Sequence, residues 1–246
     1  SGHSHAANIA NKKAKIDAQR GKIFTKLGRE LAVAAKAGAD PSTNSKLADA
    51  IAKARSFNMP NDNIKKCIAK AAGELSATNY EELTYEGYGP NGSALIINAL
   101  TDNKNRTVDY VRTVMRKHGG SLGSTGCVSY LFDNKGVIVV EKKVGLDEDL
   151  VMEYAIEAGA DDVVTEEDAF TVYTSVPNFS AVRKYLEEKG LSFFEASLEM
   201  IPQSKITFDG ENAAKFRKLV DALEDLDDVQ DVYHNAVSYT HLTLPT

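Results

Sequence analysis

Cysteine and long apolar runs are the scarcest features of this sequence. The only cysteines, Cys67 and Cys127, lie far apart and outside any CxxC pair, which argues against a disulfide framework and against a zinc knuckle. Apolar runs such as residues 137–140 are no longer than a strand, whereas a membrane-spanning helix requires roughly 20 apolar residues. The first residues are polar and basic, which does not fit a secretory signal. We therefore expect a cytoplasmic protein in a reducing compartment.

Positive charge is concentrated in the first 75 residues and scarce after them. Residues 1–75 carry 14 Lys or Arg and 6 Asp or Glu, a net charge of +8, whereas the rest of the chain carries a net charge of −14. This segregation suggests a polyanionic partner for the basic part, and nucleic acid is the first hypothesis. The alternative is a pair of solvated surfaces of opposite sign that neutralise each other.

The pattern of the basic segment predicts an arm followed by helices. The first dozen residues show no hydrophobic periodicity, which favours a flexible arm. Ile23, Leu27 and Leu31 then recur at helical spacing, and Gly38 should stop this helix. Two further amphipathic helices, around residues 47–54 and 64–71, complete a predicted all-helical domain at residues 1–75.

The candidate nucleic-acid contacts are basic side chains of this segment and of one later helix start. Lys22, Lys26 and Arg29 fall at i, i+4 and i+7, so they should share one flank of a helix. Such cations release counterions from phosphates, so we expect affinity to fall steeply with salt. The full set is Lys12, Lys13, Lys15, Arg20, Lys22, Lys26, Arg29, Lys104 and Arg106.

Beyond residue 80 the apolar period becomes that of strands. Residues 136–201 predict the order strand, helix, strand, strand, helix, strand, which is a split-βαβ, ferredoxin-like unit. The elements before and after it would form one discontinuous domain that is itself ferredoxin-like. The predicted fold is therefore α+β with three domains, the third inserted into the second. Their boundaries are 1–75, 80–133 plus 204–237, and 134–203; residues 238–246 resemble a cloning remnant.

Catalysis is the second hypothesis and has little support. His118, with Asp102 or Cys127 as neighbours, is the best acid/base candidate, but no nucleophile motif such as GxSxG is present. The glycine-rich loop at residues 119–126, followed by a predicted strand at 127–132, is not a Walker motif. We expect no enzyme activity, cofactor, metal or small-molecule substrate. A protein-interaction module is the third hypothesis, because ferredoxin-like sheets often pair.

Several motifs resemble those of the YebC/PmpR family, which includes the mitochondrial translational activator of cytochrome c oxidase subunit I. The resemblance covers residues 1 to about 237. The matching stretches are Gly2-His3-Ser4, Arg20-Gly21-Lys22-Ile23-Phe24-Thr25-Lys26, Asn58-Met59-Pro60-Asn61-Asp62-Asn63-Ile64, Tyr85-Glu86-Gly87-Tyr88-Gly89-Pro90, Thr101-Asp102-Asn103-Lys104-Asn105-Arg106-Thr107 and Lys117-His118-Gly119-Gly120.

The resemblance implies a cytoplasmic protein with a helical N-terminal domain and two α/β domains. It implies a probable transcriptional regulator that binds promoter DNA, or alternatively a ribosome-associated translation factor that contacts ribosomal RNA and relieves stalling, notably at proline runs. His5 and Ala6 stand where the family usually has Lys and Trp. Stacking of a base on an aromatic side chain is worth roughly 1–3 kcal/mol, so we expect weaker contact at the tip of this arm.

Overall fold

The computed structural model describes residues 5–14, 16–73 and 78–237. Lys15 and the predicted remnant at 238–246 lie outside the described residues. The helices are α1 (His5–Ala14), α2 (Ile16–Ala35), α3 (Ser45–Ser56), α4 (Asn61–Gly73), α5 (Lys104–Lys117), α6 (Glu148–Ala158), α7 (Phe179–Glu188) and α8 (Gly210–Glu224). The strands are β1 (Glu81–Tyr88), β2 (Ala94–Thr101), β3 (Ser121–Leu122), β4 (Phe132–Glu141), β5 (Asp162–Thr165), β6 (Ala169–Thr174), β7 (Phe193–Pro202), β8 (Ile206–Thr207), β9 (Val229–His234) and β10 (Ala236–Val237).

The chain divides into two compact units. Of the described residues, 5–14, 16–73 and 134–199 form unit one, and 78–133 and 200–237 form unit two. Unit one therefore combines the helical segment with most of the segment that we predicted to be inserted. We call Asn134–Glu199 the inserted segment. The division into three domains, with the boundaries given above, stays a prediction.

The helices of unit one form a small core, as their apolar spacing predicted. Leu31, Leu47 and Phe57 are buried where α2, α3 and α4 meet. Asn44 fixes the turn between α2 and α3, because its side-chain oxygen accepts the N–H of Leu47 at 3.2 Å while its amide nitrogen donates to the carbonyl of Ala34 at 2.8 Å. This is the N-cap role that asparagine favours.

The prediction of a flexible arm was wrong, because residues 5–14 form α1. Ala6 and Ile9 are buried on this helix. A sequence with weak apolar periodicity can still be helical when other parts of the protein cover its few apolar side chains. The polar contacts of α1 with residues 134–199 are described below.

The inserted segment has the ferredoxin-like topology that its pattern predicted. Its sheet has the strand order β5-β6-β4-β7, and β4 and β5 both run antiparallel to β6. Ile138, Val140 and Val172 project from one face of this sheet into a core that also contains Val151 of α6 and Leu186 of α7.

An ion pair joins α3 to α7 within unit one. Arg183 Nε lies 2.7 Å from Asp49 Oδ1, and the arginine side chain is only 6% exposed. Ser180 Oγ, one turn earlier on α7, donates to the other carboxylate oxygen of Asp49. The helical segment and the inserted sheet are therefore fastened by buried polar contacts that replace water around both charges.

Unit two is also built on a four-stranded sheet, with the order β3-β1-β2-β9. The predicted hairpin is confirmed, since β1 and β2 pair antiparallel from Glu81 opposite Thr101 to Tyr88 opposite Ala94. Helices α5 and α8 cover one face through residues such as Met115 and Leu219. The hairpin lies at the centre of this sheet, whereas the ferredoxin-like order separates the first two strands. The prediction of a second ferredoxin-like sheet is therefore corrected. The predicted fold class, a mixture of helices and strands, is confirmed.

Glu86 organises the loop that follows β3. Its side chain is buried, and its carboxylate accepts the backbone N–H groups of Gly126 at 2.6 Å, Val128 at 3.1 Å and Ser129 at 2.6 Å. Burial alone would raise the pKa of Glu86, but these donors outweigh it and the pKa lies below its ordinary value. The strand predicted at 127–132 was wrong, because these N–H groups bond to a carboxylate instead of a neighbouring strand.

We expect Glu86→Gln to lower the free energy of unfolding by about 2 kcal/mol at pH 7, because hydrogen bonds to a charged acceptor are replaced by bonds to a neutral one. The carboxylate has a lowered pKa in the folded state, so its contribution is complete above the pKa of the unfolded chain and is lost as pH falls through the folded value. Denaturant titrations at several pH values should therefore show the difference between variant and wild type shrinking below about pH 4. Glu82→Gln, an exposed residue of the same strand, is the control. An equal effect of both variants would contradict this role for Glu86.

Candidate nucleic-acid interface

A row of exposed lysines lies on α4. Ile64, Cys67 and Ile68 face the helical core, and Lys65, Lys66 and Lys70 are all exposed. Arg55, at the end of α3, is exposed beside the start of α4, where its Nε donates to Asn61 Oδ1 at 3.2 Å. We call Arg55, Lys65, Lys66 and Lys70 the α4 face. None of them is among the contacts predicted from the sequence, although Lys66 and Lys70 have the same i, i+4 spacing that identified Lys22 and Lys26.

The predicted cations of α2 lie on a continuous helical stretch. Lys22, Lys26 and Arg29 follow the one non-helical residue that α2 contains, Gln19, so their i, i+4, i+7 spacing does place them on one flank. All three side chains are half-buried, whereas Arg20 is exposed. Phe24 is half-buried against the helical core, as expected for a packing residue rather than a stacking platform.

The cations of α1 contact acidic and carbonyl groups of unit one. Lys12 Nζ lies 3.8 Å from Glu195 Oε1, and Lys13 Nζ donates to the carbonyl of Phe194 at 2.6 Å. Both ammonium groups also lie over the ring of Phe57, at 5.3 and 5.4 Å from its centroid. Burial lowers the pKa of Lys13, although Glu195 opposes this effect. These two lysines therefore already have partners within the protein.

His5 anchors the other end of α1. Its Nδ1 lies 3.4 Å from Glu166 Oε1, its Nε2 lies 3.5 Å from Glu199 Oε2, and its backbone N–H donates to Glu166 Oε2 at 3.1 Å. Burial would lower the pKa of His5, but the two carboxylates outweigh it and raise the pKa. Ala6 follows His5 and is buried, so it lies at a packing position in this conformation.

Arg106 belongs to a structural ion-pair network. Its guanidinium donates to both oxygens of Asp228, at 3.1 and 2.9 Å, and to Asp102 at 2.7 Å. Thr107 Oγ1 adds a hydrogen bond to Asp228 at 2.8 Å. Hydrogen bonding to Asp228 and then to Asp102 raises the pKa of Arg106 further. Lys104, predicted together with Arg106, makes an exposed pair with Glu81 at 3.0 Å.

Two of the catalytic candidates, His118 and Asp102, have structural partners. His118 caps α5, and its Nδ1 lies 2.9 Å from the carbonyl oxygen of Val114, which is the structural role expected near a helix C-terminus. Asp102 is paired with Arg106. Among the residues that the structure describes, no group of three His, Cys, Asp or Glu is arranged to hold a metal ion. Within those same residues, no helix is long and apolar enough to cross a membrane.

Both parts of the chain match models of known protein families. Residues 4–74 match the TACO1/YebC protein N-terminal domain, and residues 80–236 match the TACO1/YebC second and third domain. A probable transcriptional regulatory protein of Hathewaya histolytica is 55% identical over 237 residues, which cover 96% of each chain. Another, from Caldicellulosiruptor saccharolyticus, is 56% identical over 96% of this chain and 98% of its own. The crystal structure of a conserved hypothetical protein from Aquifex aeolicus superimposes with a TM-score of 0.80 at 46% identity, covering 91% of this chain and 93% of that one.

We expect Arg106→Met to lower the free energy of unfolding, because Asp228 would stay buried without its cation. The loss should be smaller than for a fully buried pair, since the guanidinium is partly exposed. Lys104→Met is the matched control and should change stability by less than about 0.5 kcal/mol, because exposed pairs contribute little. Chemical denaturation measures both. If Arg106→Met were as stable as the control, the network would not have the structural role that we assign to it.

Proposed function

Because the chain belongs to the TACO1/YebC family, we propose that it is a regulatory protein that binds DNA through its basic helical region and acts on transcription. The names of the two bacterial relatives, which align over almost the whole chain, support a regulatory role. The assignment of DNA as the partner rests on charge and exposure.

The α4 face is the observation that carries this proposal. It presents four cations on neighbouring helix segments that are rigidly packed on a common core, and Arg20 adds an exposed cation on α2. Fixed cations of this kind bind phosphates and position a protein on a nucleic acid without reading its bases. We therefore expect affinity with modest sequence preference. Lys22, Lys26 and Arg29 are proposed as further contacts, whereas Arg106 is assigned to structure.

A ribosome-associated translation factor is the second candidate. The segregation of charge favours it, because residues 1–75 are strongly basic while the rest of the chain is strongly acidic. An acidic body is repelled by a surrounding RNA surface, so such a protein would insert its basic end alone. The same segregation serves a DNA-binding protein by keeping its body away from the phosphates.

Binding to duplex DNA should weaken steeply as salt is raised, and the combined change Lys65→Ala, Lys66→Ala and Lys70→Ala should reduce this dependence. Each phosphate contact that is lost lowers the slope of log K against log salt by about 1, so the triple variant should lose about 3. Fluorescence anisotropy over a series of salt concentrations measures the slope. The change Lys184→Ala, Lys215→Ala and Lys218→Ala removes the same charge from exposed positions on α7 and α8 and is the control. Wild-type affinity that does not respond to salt would rule the proposal out.

Sedimentation of cell lysate at near-physiological salt should separate the two candidate functions. A transcriptional regulator is expected to stay at the top of a sucrose gradient while still retarding duplex DNA at that salt. Wild type in the ribosomal fractions, with the α4 triple variant at the top, would instead favour the translation factor. The α7/α8 control variant should behave as wild type in either case, because its lysines lie outside the basic segment.

A further inference from the structure

The inserted sheet is buried on both faces. Successive side chains of a strand point to opposite faces, so Val137 and Val139 lie on the face that Ile138 and Val140 do not use. Ile138 and Val140 pack in the core with α6 and α7. Val137 and Val139 are nevertheless only 1% exposed. A second cover must therefore lie on the face opposite α6 and α7.

Helix α1 lies on this face, where the ring of His5 packs edge-on against Tyr173, the residue paired with Val137. His5, Ile9, Lys12 and Lys13 fall at i, i+4, i+7 and i+8, which places them on a single helix face. His5 reaches the turn after β5 and the far part of β7, and the two lysines reach the start of β7. Ile9, between them, is buried.

Three glutamates surround the docked helix. Glu166, Glu195 and Glu199 each contact a cationic or titratable side chain of α1, and we call them the acidic cradle. Glu141 adds a fourth negative charge near Lys13. The inserted segment Asn134–Glu199 carries 15 Asp or Glu and 6 Lys or Arg, so its long-range field also attracts a basic helix.

We propose that the acidic cradle and a nucleic acid compete for α1, so that the described conformation is an autoinhibited state. The proposal deepens the function proposed above and rests on it. Carboxylates and phosphates are both anionic oxygen acceptors, and an ammonium group that contacts Glu195 is not available to a phosphate at the same time. The α4 face stays exposed in this state and makes the first contact. Release of α1 then adds Lys12 and Lys13 to the interface.

The contacts between α1 and the acidic cradle are weak enough to break. The His5 and Lys12 pairs are partly exposed and have separations of 3.4–3.8 Å, so salt and a competing polyanion weaken them. Gln19, with φ −128° and ψ 25°, interrupts the helical backbone near the start of α2. This interruption gives α1 a point about which it can move without disturbing the part of α2 that packs on the helical core.

Protonation of His5 should strengthen the docked state. The groups that face its ring are Glu166 after β5, Glu199 on β7 and Tyr173 on β6, with Asp162 and Lys135 beside Tyr173. Because these carboxylates raise the pKa of His5 when α1 is docked, the stabilisation is complete below the pKa of the free histidine. It is lost as pH rises through the docked value, so α1 should be released more readily at alkaline pH.

The test combines Glu166→Gln, Glu195→Gln and Glu199→Gln in the full chain. The control combines Glu148→Gln, Glu153→Gln and Glu188→Gln, which remove the same negative charge from exposed positions on α6 and α7. Hydrogen exchange of residues 5–14 reports whether α1 is docked, and fluorescence anisotropy with duplex DNA reports affinity at fixed salt. His5→Ala is a second variant that opens one end of the contact while keeping Lys12, Lys13 and the sheet intact.

The variant with all three changes in the acidic cradle, which we call the cradle variant, should exchange the amide hydrogens of α1 faster than the control. It should also bind DNA about tenfold more tightly, because its neutral side chains no longer compete with phosphates for the cations of α1. His5→Ala should exchange faster as well, and its exchange should respond less to pH than that of wild type.

Equal exchange of α1 in the cradle variant and the control would overturn the proposal. Faster exchange with equal DNA affinity would also overturn it, since α1 would then be docked but not in competition. Failure of every form to bind DNA, with exchange altered as expected, would refute the proposed function and leave the acidic cradle as a docking site only.

Discussion

The ion pair between Arg183 and Asp49 is the contact on which the organisation of unit one depends. It brings α7 of the inserted segment against α3 of the helical segment, although the two residues are 134 positions apart in the sequence. Arg183 is buried, and removing either partner of such a pair leaves an uncompensated charge. The helical core and the inserted sheet are thereby held together, and in this arrangement α1 contacts the face of the sheet opposite α6 and α7.

The basic and acidic parts of the chain, which are separate in the sequence, contact each other inside unit one. The basic segment was interpreted as a surface for an external polyanion, and the α4 face fits that interpretation. Lys12 and Lys13 instead contact the inserted segment, whose excess of carboxylates resembles the charge of a nucleic acid. The protein therefore carries an internal counterpart to the partner that we propose for it, and the two kinds of cation have different tasks. In the autoinhibited state that we propose, the cations on α4 stay exposed, whereas those on α1 become available only when α1 is released.

The elements with strong periodicity could be predicted from the sequence, because their apolar spacing depends only on local geometry. The β1–β2 hairpin and the ferredoxin-like order of the inserted sheet are of this kind. The features that could not be predicted depend on distant partners. Helix α1 is held by residues more than 150 positions away, and Arg106 is oriented by Asp228, 122 positions away. The loop at 127–131 has the composition of a strand, but Glu86 takes its N–H groups. The α4 lysines could have been predicted, because Lys66 and Lys70 have the same i, i+4 spacing as Lys22 and Lys26.

Strands β4 and β7, through which the chain enters and leaves the inserted segment, are neighbours in its sheet. A domain whose two ends lie side by side can be gained or lost by a host chain without stretching it. A segment with this geometry can be gained or lost in evolution as one module, and here the module carries the acidic cradle that contacts α1. A relative that lacked residues 134–199 would keep the sheet of the second unit and the helical core. On the competition that we propose, α1 of such a relative would have no internal competitor, so gain or loss of one module would change the protein between a restrained and a permanently available form.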